Sequence, residues 1–259
     1  MRCLTFFLLL SQFTLAADKP KVILAVFAHP DDETLVGPVL ARYAKQGVDV
    51  YIAYATDGQR GTNDFAKISA GDELAKARRG EATCACQQLG AKPPIFFGLM
   101  DGDLGAMTNP LGKNIKATAD EVQKLLDQLH PDAIVTWGPE GGYGHPDHRL
   151  VSDAVTQVVQ QSSQRYHLYY VELDTNSLKP SAQILGIDFF GTDPQYLPVR
   201  VAYSKSDLEA ATRAFQCHKS QYRPKDMEEN EALLDHAWNG KIPFRPWYGG
   251  TKSDDLLKP

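Results

Sequence analysis

The sequence predicts an α/β protein: a Rossmann-like three-layer fold with a mainly parallel sheet in the strand order 3-2-1-4-5. Three observations predict it. Short apolar runs alternate with helical stretches from residue 20 onward. The runs are continuous rather than alternating, as strands covered on both faces are. Repeated β–α units of this kind imply a parallel sheet wrapped by helices.

The elements follow in order. Residues 22–27 are wholly apolar and read as the first strand. Residues 34–46 read as a helix stopped by Gly47, and residues 48–56 as the second strand. Residues 70–89 form a long helix ended by Gly90, and 95–99 a short third strand. Residues 118–129 are a helix closed before Pro131, and 133–137 the fourth strand. A helix over 148–161 and a fifth strand over 167–173 come next. The last third is less regular: a strand over 199–203, a helix over 207–219, and a Pro-, Gly- and aromatic-rich loop over 241–250.

Residues 1–17 read as a secretory signal, leaving 18–259 as one domain. Arg2 supplies the positive start, residues 4–10 an apolar stretch, and Thr14-Leu15-Ala16-Ala17 small residues for cleavage. That stretch is shorter than the roughly 20 residues that span a bilayer. The expected mature chain therefore has no membrane span and is secreted or periplasmic. The formal charge of -5 becomes -6 without residues 1–17, which hold one Arg and no acid. A mildly acidic chain speaks against nucleic acid as a partner, because that needs clustered Lys and Arg. Cys84, Cys86 and Cys217 remain in the mature chain. Cys84 and Cys86 sit two apart on one helix and do not face each other. A bridge from Cys217 to either one stays open.

Two polar clusters carry the chemistry. Ala28-His29-Pro30-Asp31-Asp32-Glu33 follows strand one, and Gly144-His145-Pro146-Asp147-His148 lies beyond strand four. In an open parallel sheet, ligands bind beyond the carboxyl ends of the strands where their order reverses, here between strands one and four. The two clusters therefore meet. Their imidazoles and carboxylates suit a divalent metal, with acid–base groups to spare for hydrolysis. A dinucleotide site would need a glycine-rich turn after strand one, and two carboxylates there would repel a phosphate. Spacing leaves open which of Asp31 and Asp32 binds metal, and whether one of them caps the following helix.

The two motifs together resemble the PIG-L/LmbE-like family of metal-dependent N-deacetylases. Supporting likenesses are the Arg-x-x-Glu helix from Arg78 to Gly90, with Ala82 in place of the usual second acid, residues 97–102, and His218-Lys219-Ser220-Gln221. The likeness spans roughly residues 21 to 222. It implies His29, Asp32 and His148 as ligands of Zn²⁺, or of another divalent metal such as Fe²⁺. It implies Asp31 as general base, His145 as an oxyanion donor in its protonated form, Asp147 orienting or charging His145, and Tyr143 reaching the same oxyanion. Glycines 141, 142 and 144 would let that loop move.

The resemblance also offers Arg60 and Asp101 for substrate hydroxyls, with structural turn roles as the alternative for both and for Asp57. Glu33 would orient His29 or belong to the first helical turn. Trp247 and Tyr248 would stack on a sugar or pack locally. The implied activity is N-deacetylation of a small-molecule or glycan substrate carrying an N-acyl group, an amino sugar above all. Hydrolysis of another amide or ester, or sugar binding without catalysis, are the rivals.

Overall fold

The computed structural model describes residues 19–105, 112–178 and 187–258. The expected signal, residues 1–17, lies outside them. Seven strands form one sheet in the order β3-β2-β1-β4-β5-β7-β6. The first five are parallel, in the expected 3-2-1-4-5 order. They are β1 (Val22–Phe27), β2 (Asp49–Thr56), β3 (Ile95–Leu99), β4 (Ala133–Trp137) and β5 (Leu168–Val171). β6 (Val199–Ala202) and β7 (Lys241–Pro246) extend the sheet, with β7 antiparallel to both β5 and β6.

β1 shows why the fold has three layers. Ile23, Ala25 and Phe27 enter one apolar cluster, while Leu24, Val26 and Ala28 enter the other. Successive side chains point to opposite faces, so a fully apolar strand needs cover on both. One face is covered by α1 (Gly37–Lys45), α2 (Asp72–Leu89), α6 (Lys205–Phe215) and α7 (Pro224–Trp238). The other is covered by α3 (Lys113–Leu129) and α5 (Pro146–Gln161). Between β4 and α5 lies α4 (Gly141–Gly144), a single irregular turn.

The differences from expectation have local causes. The helix expected at 34–46 opens as a 3-10 turn, Asp32–Val36, and becomes α-helical only at Gly37. Pro38 lies in that first turn, where a missing N–H costs no hydrogen bond. Residues 241–250, expected as loop, contain β7. Pro243 and Pro246 disguise it, yet Ile242 and Phe244 alternate inward and are fully buried. α7 carries seven charged or histidine side chains among its fifteen residues, which hid its buried Met227, Leu234, Ala237 and Trp238. Cys217 pairs with Cys84, joining the end of α6 to α2, and Cys86 is free and buried. Among the described residues no helix is long and apolar enough to cross a membrane.

Candidate metal centre and active site

β1 and β4 are parallel neighbours, so the two motifs emerge side by side. Thr56, at the end of β2, grips the first motif through its amide and hydroxyl, which both donate to the Ala28 carbonyl. His29 Nδ1 lies 3.2 Å from His148 Nε2, and Asp32 Oδ1 lies 3.3 Å from the same nitrogen. Donor atoms of a tetrahedral site with bonds near 2.0–2.1 Å sit about 3.3 Å apart. The spacing fits.

The hydrogen bonds around these side chains point the same way. Asp32 Oδ2 accepts from the amides of Ala28 and His29 and from the Trp137 indole, each at 3.0 Å, which leaves Oδ1 for the centre. His148 Nδ1 lies 3.2 Å from the Gly141 carbonyl, which can only accept, so the proton is on Nδ1 and Nε2 presents a lone pair. His29 Nε2 faces Asp101 Oδ1 at 3.2 Å and Asp147 Oδ2 at 3.4 Å. That side carries the ring proton, and Nδ1 presents a second lone pair. Two lone pairs and a carboxylate oxygen converge on one point, an arrangement that a cation stabilises. A shared proton does the same. Burial disfavours the His29 imidazolium, but the hydrogen bonds of Asp101 and Asp147 and the charge of Asp32 outweigh it and raise its pKa to about 10. Asp32 is driven well below the carboxylate range: burial opposes this, and the His148 and His29 charges outweigh it.

Two further sets of ligating atoms gather around His29, one with His145 and His148 and one with Asp101 and Asp147. The second is the acceptor pair on the far side of the His29 ring. Backbone amides hold both acids in place: Arg60 donates to Asp101, and Gly102 and Gly105 donate to Asp147.

This revises three sequence-based readings. The Asp147 carboxylate meets His29 rather than His145. Glu33 does not touch His29; it accepts from His218 Nε2 at 2.6 Å, from the Tyr54 hydroxyl and from the Asp31 amide. His145 is the N-cap of α5, and its Nδ1 accepts from the Asp147 amide at 3.1 Å. An amide can only donate, so His145 is neutral and carries its proton on Nε2. Burial and the charges of His148 and His29 hold its pKa down to about 4. Its Nε2–H is thus a neutral donor group in the cavity lining.

Asp31 occupies the cap position of the 3-10 turn, yet its side chain makes no capping hydrogen bond. Its φ of 105° is in the left-handed region, which a β-carbon disfavours. The carboxylate instead lies 3.1 Å from Arg78 Nη2 and accepts from the Tyr222 hydroxyl at 3.1 Å. Burial raises its pKa, against the pull of Arg78 and with the push of Asp32. Arg78 also donates to the carbonyls of Pro30 and Gly58. A β-carbon at residue 58 would stand 2.1 Å from that guanidinium, so only glycine fits. The other motif residues complete this layer: Glu81 accepts from the Ser220 amide and hydroxyl, and Gln221 donates to the Gly61 carbonyl.

A cavity of about 290 Å³ opens over these groups. His29, Asp31, Asp32, Asp101, Tyr143, His145 and His148 all line it. Burial and the charges of Asp32 and Asp31 raise the Tyr143 phenol, so it stays an O–H donor at neutral pH. Arg60 is absent from the lining, and its guanidinium pairs with Asp103 at 2.6 Å. Asp57 pairs with Arg79. Trp247 and Tyr248 line a different cavity, with residues 162–169 before and at the start of β5, because β7 runs antiparallel and ends at the opposite edge of the sheet. Arg78, Tyr222, Asn63 and Phe189 line the site and were not singled out as site residues in the sequence. Arg78 alone had a signal, the Arg-x-x-Glu pattern.

Comparison with known proteins shows the family of the chain. A family profile described as PIG-L, GlcNAc-PI de-N-acetylase, matches residues 24–159. The chain is 30% identical over 238 residues to a 1D-myo-inositol 2-acetamido-2-deoxy-alpha-D-glucopyranoside deacetylase of Mycobacteroides abscessus, covering 82% of this chain and 85% of that one. A protein of the same name from Rhodococcus jostii is 35% identical over 154 residues, about half (53%) of each chain. Among solved structures, the N,N'-diacetylchitobiose deacetylase of Pyrococcus horikoshii superposes with a TM-score of 0.67 at 20% identity, covering 87% of this chain and 83% of that one. A 4-carboxy-2-hydroxymuconate hydratase from Pseudomonas putida shares the fold at a TM-score of 0.63 and 17% identity, covering 88% and 97%. The fold thus hosts more than one reaction, and the sequence relationship is the more specific: the chain belongs to the PIG-L, GlcNAc-PI de-N-acetylase, family.

Proposed function

We propose that this protein is a metal-dependent N-deacetylase that hydrolyses the N-acetyl amide of an amino sugar or glycoconjugate, with Asp31 as general base. The observation that carries the reading is the division of labour between adjacent acids. Asp32 is tied by three donors and turned to the His29–His148 centre, while Asp31 faces the same cavity and takes no part in that set. A site that only binds sugar has no use for a second carboxylate of raised basicity.

His29, Asp32 and His148 would hold the metal, with Asp101 and Asp147 fixing the His29 ring. A bound divalent ion supplies Lewis acidity toward the amide oxygen and a lowered pKa for water. Asp31 takes the proton of the attacking water and returns it to the departing amine. Arg78 and Tyr222 hold the carboxylate in place for both transfers. His145 Nε2–H and the Tyr143 hydroxyl donate to the oxyanion as charge develops. Phe189 and Leu35 give the cavity an apolar wall, and Thr62, Asn63 and Gln221 a polar one, as an acylated sugar requires.

We further propose that the protein works outside the cytosol. The pattern of residues 1–17 supports this, as does the Cys84–Cys217 bridge, which persists in oxidising compartments. The test is release of acetate from a panel of N-acetylated amino sugars by the metal-loaded protein. Release of a different acyl group would redirect the reading to another amidase or esterase. Sugar binding without turnover would leave a binding protein.

A further inference from the structure

The turn that delivers Tyr143 and His145 has little to hold itself in shape. Gly141, Gly142 and Gly144 all adopt positive φ, and none brings a side chain. Its anchors come from elsewhere. Glu140, just before the turn, folds back over Gly138, where a β-carbon would stand 2.1 Å from the carboxylate. Glu140 Oε2 lies 3.0 Å from Arg245 Nη2, and the same nitrogen lies 2.6 Å from Glu172 Oε1. Thr192 donates to the other Glu172 oxygen at 2.6 Å, and the guanidinium sits 5.1 Å above the Tyr170 ring.

Two consequences reach the site. The Gly141 amide donates to the Gly138 carbonyl, and the Gly141 carbonyl is the acceptor that sets the His148 ring. The Gly142 carbonyl accepts from the Phe190 amide, so the segment carrying Phe189 is tied to the turn. Glu172 is almost fully buried at the end of β5, so this anchor stands on the sheet itself.

We propose that Arg245 is a positioning residue for the reaction: by gathering Glu140 and Glu172 on one guanidinium, it holds the 138–144 turn, the Gly141 carbonyl behind His148, and Tyr143. β7 lies between β5 and β6, and this places Arg245 beside the end of β5. The inference rests on the deacetylase reading for its kinetic assay and stands apart from it in its metal assay.

The test compares Arg245→Met, Arg245→Lys and Glu140→Gln with Arg200→Met. Arg200, on β6, pairs with Asp174 at 2.5 Å, and among the described residues none of its hydrogen bonds or ion pairs reaches residues 138–144, so it controls for loss of a half-buried ion pair. At saturating Zn²⁺, kcat on one N-acetylated amino sugar should fall about 10- to 100-fold in Arg245→Met and Glu140→Gln, since displacing aligned groups by an ångström has that cost. Arg245→Lys should recover part of the loss, and Arg200→Met should keep the wild-type kcat. In chelator competition, Zn²⁺ affinity should fall about tenfold or more in Arg245→Met, as for other residues behind a metal ligand. Wild-type kcat and Zn²⁺ affinity in both Arg245→Met and Glu140→Gln would overturn the proposal. So would an equal loss in Arg200→Met. If Arg245→Met fails to fold, Arg245→Lys and Glu140→Gln decide. A wild-type protein with no amidase turnover would sink the functional reading, and Zn²⁺ affinity alone would then judge Arg245.

Discussion

His29 Nδ1 and His148 Nε2 face each other across 3.2 Å with their protons on the far sides of both rings. Opposed lone pairs at that distance hold together around a cation or a shared proton. The metal and the proton therefore compete for His29, whose pKa is raised to about 10 without metal.

The first expectation follows from that competition. One divalent ion should bind per chain, and binding at neutral pH should release a proton, measurable by calorimetry in buffers of different ionisation enthalpy. Affinity should weaken steadily as pH falls. His29→Ala, Asp32→Ala and His148→Ala should each lose the metal. Full retention in all three would refute the ligand set.

Asp31→Ala should keep the metal and lose about 10²–10⁴-fold in rate, the usual effect of removing a general base. Because burial raises the Asp31 pKa, the acid limb of the rate profile should lie above the ordinary carboxylate range and vanish in Asp31→Ala. A wild-type rate in this variant would mean that another group serves as base.

His145→Ala should lower the rate about 10²–10³-fold, as for loss of one oxyanion donor. Since His145 is neutral over the working range, the alkaline limb should be the same in the wild type and in this variant. An alkaline limb that disappears with His145 would instead identify an imidazolium at this position.

The buried Glu33–His218 pair, at 2.6 Å, predicts a pH window for stability. Burial lowers the His218 pKa, but Glu33 raises it further, so its contribution is full below about 6.5 and is lost as pH climbs through the raised value. Burial raises the Glu33 pKa, but His218 lowers it further, so its contribution is full above about 4.5 and is lost as pH falls through the lowered value. Glu33→Gln should cost about 3–5 kcal/mol near neutrality and progressively less on both sides. Denaturant melts of the two proteins across pH would show it, and a cost independent of pH would reject the ion pair.

Cys84 and Cys217 are 133 residues apart in sequence. In the chain-entropy account a bridge over that span stabilises by about 4–5 kcal/mol. Cys217 also precedes His218, and Cys84 shares a helix with Arg78 and Glu81. Cys84→Ser should therefore lower the melting temperature and bring the rate down with it. Unchanged values with and without reductant would show that the bridge contributes nothing.

Sequence alone determined the five parallel strands of the sheet and the meeting of the motifs. A strand apolar on both faces must be sandwiched, parallel strands need helical crossovers, and an order that reverses between strands one and four puts both polar clusters at one edge. Local spacing was enough because each of these rules acts over one β–α unit. The tertiary structure decided everything that depends on direction. Whether Asp147 serves His29 or His145, which His145 nitrogen holds the proton, and which of Asp31 and Asp32 faces the centre all turn on hydrogen bonds between residues far apart in sequence or on the orientation of a single ring. Arg245, Tyr222 and Phe189 come from the irregular last third, where prolines hid β7 and charged residues hid α7. Their places are set by long-range contacts, Tyr222 with Asp31, Phe189 with Tyr143, and Arg245 with Glu140 and Glu172, which no periodicity along the chain records.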